Sequence, residues 1–244
     1  MFPARCQFAL ALSWIVAGSV AAKDKVEPAF PIQAVPFDLT AVRLLDGPFR
    51  KAMLRDKAYL LSLDNDRLLH NFRVTAGLPS DAKPLGGWED PKRELRGHTV
   101  GHYLSALALM YASTDEAALK TKADAMVAEL AKCQAAMPAA GFREGYLSAY
   151  PEEFFDRVDA AKEVWAPYYT LHKIIAGLYD VHVHCGNAQA LEVVLRMCDW
   201  LHTRVARLGR EQMQRSLDNE HGGMNEVLAN LHALTGRADL LALA

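Results

Sequence analysis

Histidines, aromatic residues and glycines recur together in the chain in a pattern that suits a polar binding site. His98 and His102 are four residues apart, so on a helix both side chains lie on one face near its N-terminus. Spacing of this kind binds zinc in some enzymes, but the glutamate that activates water there is missing between these two. The rings could instead form hydrogen bonds with ligand hydroxyls, or only stabilise the fold. Trp88 lies in the glycine-rich segment just before them.

A second histidine follows aromatic residues in the same way. Tyr169 and His172 come directly after Trp165 and Pro167, in the first turns of another predicted helix. If the two helices begin at the same end of the fold, His172 faces the same opening as His98 and His102. The repeated placement favours a functional role over a structural one.

The segment 220–226 contains two glutamates together with a histidine and two glycines. Glycosidases commonly use two carboxyl groups, one as acid and one as nucleophile or base. Glu220 and Glu226 could supply one such group, and His221 lies between them. Alternatively, Glu226 is only a first-turn acid that interacts with a helix dipole.

A further glycine-rich segment carries tyrosines. Tyr146 and Tyr150 lie between Gly141 and Pro151. Tyrosine has an apolar face and a polar tip, which suits sugar rings, so this segment could cross the opening of a binding site. It could equally be a structural loop packed by its own aromatic side chains.

Apolar residues spaced three and four apart predict an all-α chain. A capping box at 113–116 should start the third helix, and Gly186-Asn187 should end the fourth and cap the fifth. No β-strand pattern competes. The predicted helices cover about 46–69, 97–111, a segment after 116, 168–184, a segment after 187, and 223–234.

Short turns alternate with long loops rich in glycine, tryptophan, tyrosine and histidine. This alternation indicates helical hairpins arranged as an α/α six-hairpin toroid, with the long loops at one end. A linear solenoid would show a fixed repeat length, which the sequence lacks. The final residues, 238–244, resemble the start of another helix, so we expect the toroid to be present only as its N-terminal half.

Composition limits the possible partners. The 244 residues are 51% hydrophobic and carry 27 basic and 29 acidic side chains, so no strong charge attracts nucleic acid. Residues 1–22 resemble a secretory signal peptide, although an uncleaved anchor would also fit. The protein should therefore be exported, with no membrane association after cleavage. Residues 23–36 resemble a linker, and 37–244 would be the truncated N-terminal part of the α/α-toroid domain.

Cysteine usage does not indicate a disulfide framework. Removing the signal segment leaves Cys133, Cys185 and Cys198, an odd number that falls within helical patterns. We expect buried free thiols, although export would permit one bridge.

Three motifs in order resemble the β-L-arabinofuranosidase family, glycoside hydrolase family 127. The resemblance spans about 37–244, and no single motif would be specific alone. The motifs are GHTVGHYLSA at 97–106, YTLHKI with GLYD at 169–174 and 177–180, and HGGMNE at 221–226.

The resemblance implies an α/α barrel that hydrolyses non-reducing-end β-L-arabinofuranosides with retention. Similar enzymes use a cysteine nucleophile near a zinc ion bound by further cysteines and a glutamate, with another glutamate as acid/base. These groups have no counterpart in this sequence, so the catalytic residues are expected beyond residue 244, this chain holds no metal ligands, and the chain alone should be inactive. The expected sugar-binding residues are Trp88, His98, His102, Tyr169, His172, His221 and Glu226.

Two other functions remain open from the sequence. One is a different carbohydrate enzyme of the toroid fold, such as a lyase or an epimerase, because a fold does not fix a reaction. The other is a non-catalytic helical module that binds sugar, since a complete acid/base pair is missing.

Overall fold

A computed structural model describes residues 24–221 and 223–244. The predicted signal segment lies outside these residues. The described residues form ten α-helices and no β-strand, in agreement with the all-α prediction. The helices are α1 (Pro48–Ser62), α2 (Asn65–Thr75), α3 (His98–Thr114), α4 (Ala117–Ala136), α5 (Glu153–Asp159), α6 (Pro167–Cys185), α7 (Ala188–Val205), α8 (Arg210–Asn219), α9 (Met224–Thr235) and α10 (Ala238–Leu243).

Three helical hairpins, α3–α4, α6–α7 and α9–α10, form the framework. Within each hairpin the connection is only two residues long. Asn187 caps α7 as predicted, because its side-chain oxygen accepts the N–H of Ala190 at 2.9 Å. The capping box predicted at 113–116 is wrong: Asp115 adopts a left-handed conformation and Glu116 makes no side-chain cap to α4.

The hairpins pack side by side in two layers. Helix α3 packs on α6, and α6 packs on α9, which makes one layer of these three helices. Helix α4 packs on α7, and α7 packs on α10, which makes the second layer. This order of paired helices is that of an α/α toroid, of which the described residues form an arc of three hairpins.

Two glycines permit the close approach of α3 and α6. A Cβ atom added at Gly101 would lie 2.1 Å from the carbonyl group of Lys173, and one at Gly177 would lie 2.4 Å from the backbone oxygen of Gly101. Both distances are too short for any other residue. The two helices therefore touch backbone to backbone at Gly101 and Lys173, which are the sequence neighbours of His102 and His172.

The core lies between the two layers. The apolar stripe predicted for α4 is buried along its length, from Leu119 to Cys133. Burial of such a stripe is the main favourable contribution to folding. The three cysteines outside the signal segment are buried and unbridged, as predicted.

The structure differs from the sequence prediction in three elements. The single helix predicted at 46–69 is two helices, because Asp64 interrupts it and its side chain accepts the N–H of Asp66 at 2.8 Å to start α2. Helices α5 and α8 lie in segments for which no helix was predicted. Arg204 on α7 connects to α5 through ion pairs with Asp156, at 2.8 Å, and with Asp159.

Residues 24–36 contain no helix and are exposed. Two of their N–H groups, those of Lys25 and Val26, donate to the backbone oxygen of Ala233 at the end of α9. Among the described residues, no helix has both the length and the apolar character needed to cross a lipid bilayer.

Candidate functional site

A buried carboxylate holds the N-terminus of α3. Glu89, in the loop before the helix, accepts the N–H of Gly97 through Oε2 at 2.6 Å and the N–H of Thr99 through Oε1 at 2.9 Å. The start of a helix favours negative charge because its N–H groups are unpaired. Burial would raise the pKa of Glu89, but hydrogen bonds from His98, Thr99 and Gly97 outweigh it and lower this pKa.

The same carboxylate fixes the ring of His98. Nδ1 of His98 lies 3.0 Å from Oε1 of Glu89 and 2.8 Å from the backbone oxygen of Leu95. Both oxygens are acceptors, so Nδ1 must carry the proton. Burial lowers the pKa of His98, but the hydrogen bonds with Glu89 and Leu95 and the charge of Glu89 outweigh it and raise this pKa.

Aromatic and imidazole rings from α3, α6 and two loops form one continuous cluster. The ring centres of His98 and His102 are 5.9 Å apart, and that of Tyr169 is 6.2 Å from each of them. Nε2 of His102 lies 3.1 Å from the hydroxyl of Tyr169. Trp88 extends the cluster, because its ring centre is 6.0 Å from that of His98 and 6.4 Å from that of Trp165. Four of the predicted binding residues, Trp88, His98, His102 and Tyr169, therefore belong to one cluster.

Lys173 adds a positive charge to this cluster. Its Nζ lies 4.8 Å from the ring centre of Tyr169. The pKa of His102 is lowered, first by burial and then by the charges of Lys173 and His98. His102 and His98 thus have opposite protonation tendencies although they are one helical turn apart.

His172 lies against the loop that precedes α9. Its side chain is almost buried, and a Cβ atom at Gly223 would be 2.6 Å from its Nδ1. Gly223 has a φ of +74°, a conformation that glycine adopts easily. Burial and the charge of Lys173 lower the pKa of His172, with a smaller opposing effect from Glu226. The first turns of α6 and α9 therefore meet at this ring.

The carboxylate of Glu220, which the sequence offered as a candidate acid, nucleophile or base, is bound to backbone N–H groups. It accepts the N–H of Tyr168 through Oε2 at 2.9 Å and the N–H of Tyr169 through Oε1. Burial raises the pKa of Glu220 despite these two hydrogen bonds. It therefore holds the start of α6 much as Glu89 holds the start of α3.

The remaining two predicted residues lie at the edge of this region. His221 directly follows Glu220 and is exposed, and Glu226 is exposed in the first turn of α9. Gly222 lies outside the described residues. The positions of His221 and Glu226 agree with a site at the N-termini of α6 and α9, and their roles stay predictions.

Tyr146 and Tyr150 do not cross the opening. Both rings are completely buried, and their hydroxyls donate to the backbone oxygens of Tyr150 and Pro167, each at 2.6 Å. The structural alternative for this loop is therefore correct. Their burial raises the pKa of both phenols, far from any catalytic range.

Sequence reasoning missed three residues of the site. Glu89 was passed over because no helical spacing links it to His98, and its contact depends on how the long loop folds back. Trp165 and Lys173 belong to the motif around Tyr169 but had no assigned role. The available signal for Trp165 was that a tryptophan lies in each of the two long loops before α3 and α6.

The zinc ion implied by the resemblance has no ligand set in the described part of the chain. Within residues 24–221 and 223–244, no group of three or more histidine, cysteine, aspartate or glutamate side chains could hold a metal ion. Burial raises the pKa of Cys133 and Cys198 to about 12 and that of Cys185 to about 11, which disfavours the thiolate needed for metal binding.

These helical hairpins, whose inner helices begin at a common end lined by histidines, define an α/α-toroid protein, and the candidate site lies at that end. Residues 41–244 match the family described as β-L-arabinofuranosidase, GH127 catalytic domain. The chain belongs to this family.

Solved structures support the fold. Twelve chains of solved structures match this one. One of them is a GH127 β-L-arabinofuranosidase from Geobacillus stearothermophilus T6, with a TM-score of 0.53 and 19% sequence identity. The match covers 80% of this chain and 28% of that enzyme, so this chain spans under a third of its length. No curated protein matches the sequence.

Proposed function

We propose that the whole protein is a glycoside hydrolase that removes non-reducing-end β-L-arabinofuranosyl units with retention, and that this chain provides its sugar subsite. The observation that carries the proposal is the ring cluster of His98, His102 and Tyr169 at the start of two inner helices, in a chain whose residues 41–244 match the family. A sugar needs hydrogen-bond partners for its hydroxyls and an apolar face for its ring, and this cluster offers both.

Each side chain has a role in this proposal. Trp88 is 63% exposed, so its face is free to stack on a sugar ring. Nε2 of His98 and the pair of His102 and Tyr169 would bind hydroxyls. His172, His221 and Glu226 would contact the sugar from the second and third inner helices.

The catalytic groups would lie in sequence beyond residue 244. The described residues offer no reactive thiol and no metal-ligand group, and the matching enzyme is more than three times as long as the matched part. In the full-length protein a zinc-bound cysteine nucleophile and a glutamate acid/base would be supplied there, as the resemblance implies. Residues 23–244 alone would bind sugar but not cleave it.

Comparing two proteins tests this division of roles. We expect residues 23–244 to release no p-nitrophenol from p-nitrophenyl β-L-arabinofuranoside and to contain no stoichiometric zinc by elemental analysis. The full-length gene product should show both the activity and the zinc. Robust hydrolysis by residues 23–244 alone would contradict the proposed position of the catalytic groups.

A substrate panel separates the alternative functions. The full-length protein should cleave β-L-arabinofuranosides and leave uronic-acid polymers intact. Formation of unsaturated products from those polymers would identify a lyase, and isomerisation of free sugars would identify an epimerase. Sugar binding without turnover of any substrate would identify a non-catalytic module.

We also propose that the protein is exported. The support is the sequence of residues 1–22, which has one arginine before an apolar run and small residues after it. Expression in a bacterial host followed by mass spectrometry of the periplasmic fraction should find a mature N-terminus close to residue 23. Retention of the intact N-terminus in the membrane fraction would indicate an anchor instead.

A further inference from the structure

Glu89 joins two parts of the site that the sequence keeps apart. Its backbone oxygen accepts the side-chain amide of Asn71 at 2.8 Å, which holds the loop against α2. Its carboxylate binds both the first N–H groups of α3 and Nδ1 of His98. Both carboxylate oxygens of Glu89 already accept N–H groups of α3, and Oε1 also lies 3.0 Å from Nδ1 of His98, so the carboxylate is turned to these groups rather than to a ligand. Its influence on the site must therefore act through His98.

The hydrogen bonds of His98 determine which nitrogen can face a ligand. Nδ1 is 2.8 Å from one acceptor oxygen and 3.0 Å from another, so the ring donates through Nδ1 in either charge state. Nε2 is left as an acceptor when the ring is neutral and as a donor when it is protonated. A nearby carboxylate favours the protonated ring.

We propose that Glu89 is a positioning residue of the sugar subsite, which locks the ring of His98 to the N-terminus of α3 and presents its Nε2–H to a sugar hydroxyl as a charged donor. This inference rests on the proposed function, because the hydroxyl belongs to the sugar assigned to the subsite above. Charged donors make stronger hydrogen bonds than neutral ones. His102, with its lowered pKa, would then act as the neutral partner beside it.

The groups that face His98 determine how its charge responds to pH. Glu89 contacts it from the loop, His102 lies one turn further along α3, and Tyr169 and Lys173 face the cluster from α6. Among these four side chains only the Glu89 carboxylate stabilises the protonated ring, by direct contact, and the backbone oxygen of Leu95 adds a hydrogen bond to the same nitrogen. Removing that one charge should therefore lower the pKa of His98 even though the remaining neighbours are unchanged.

The test is Glu89→Gln in the full chain. Glutamine has nearly the same shape and keeps one oxygen to accept a backbone N–H from α3, but it carries no charge. Glu116→Gln is the matched control, because Glu116 lies at the start of α4 and pairs with Lys57 at 2.8 Å, away from the cluster. Both variants are compared with the wild-type chain by NMR of the histidine rings and by binding of methyl β-L-arabinofuranoside.

We expect Glu89→Gln to lower the pKa of His98 and to weaken binding of the arabinofuranoside about tenfold near pH 6, the size of one hydrogen bond to a charged group. Glu116→Gln should change neither quantity. If Glu89→Gln lowers only the melting temperature, while the pKa of His98 and the affinity stay at wild-type values, Glu89 is merely structural and the proposal is wrong.

A measurement on the wild-type chain covers the case in which Glu89→Gln does not fold. Nitrogen-15 shifts should show that neutral His98 carries its proton on Nδ1, and a proton on Nε2 would overturn the proposal. Failure of the proposed function looks different. It would leave His98 held by Glu89, with the expected tautomer and pKa, but no ring in the cluster would shift when the arabinofuranoside is added.

Discussion

His98 and His102 occupy one face of one helix but have different electrostatic environments. His98 contacts a buried carboxylate and a carbonyl oxygen, whereas His102 faces Lys173 and the hydroxyl of Tyr169. The pKa of His98 is raised and that of His102 is lowered. At a pH between the two pKa values, a sugar in the proposed subsite would meet one charged and one neutral imidazole, which suits hydroxyls that both accept and donate hydrogen bonds.

This contrast predicts the order in which the rings titrate. The Cε1–H signal of His98 should titrate above the ordinary pKa of 6.5, and those of His102 and His172 below it. The contribution of His98 to folding is then fully present below pH 6.5 and lost as pH rises through its raised pKa. His102 and His172 contribute in the opposite sense, losing stability as pH falls through their lowered pKa values. NMR between pH 4 and 9 measures all three, and a single shared titration would contradict the contrast.

Two histidines of α6 provide a matched test of whether His172 binds the sugar. His172→Ala should weaken binding of methyl β-L-arabinofuranoside by about tenfold or more, because a ring that contacts the ligand is lost. His184→Ala is the control, since His184 lies in the last turn of the same helix, about 18 Å away along its axis. Calorimetric titration of both variants should show the loss only for His172→Ala. Equal affinities would remove His172 from the subsite.

At the scale of residues, the sequence predicts well those site residues whose position depends on helical spacing. His98, His102, Tyr169 and His172 follow from their positions in first turns, and the structure brings them to the starts of α3 and α6. Glu89 and Glu220 do not follow from spacing, because each acts across a loop on a helix whose start is brought near only by folding.

Helices α3 and α6 pack closely because glycines lie at their contact. Gly101→Ala should destabilise the chain by about 1–3 kcal/mol or more, because the added Cβ would collide with the backbone of Lys173 and push α3 away from α6. Gly209→Ala is the control: its added Cβ would meet no atom within 4 Å, and its φ of −69° suits alanine. Urea unfolding followed by circular dichroism measures both. A Gly101→Ala variant as stable as the control would show that the two backbones do not approach so closely.

At the scale of elements, the strongly periodic helices α3, α4, α6, α7 and α9 were predicted close to their observed positions. Helices α5 and α8 were missed for a physical reason. They are only seven and ten residues long. Their stability depends on contacts with residues distant in sequence, such as the ion pairs of Arg204 with α5. No local pattern announces such a contact.

At the scale of the described chain, the two-layer arrangement brings the candidate site residues to one end. The inner helices α3, α6 and α9 begin at one end, and the long loops collect there. The toroid could be predicted because the sequence itself shows short turns that alternate with long loops. Which loop residue reaches which helix was not, because the partners are separated by 51 to 71 residues in pairs such as Tyr169 with Glu220 and Trp165 with Glu94.

Those long-range loop contacts have a consequence for protein engineering. The loop before α3 reaches the backbone of Trp165 through Glu94, and the loop before α9 reaches the backbone of Tyr168 through Glu220. Each loop thus supports the entrance of a helix that belongs to a neighbouring hairpin. A chimera that exchanges only one of these loops would remove a hydrogen bond at the entrance of a neighbouring helix, so adjoining loops should be exchanged together.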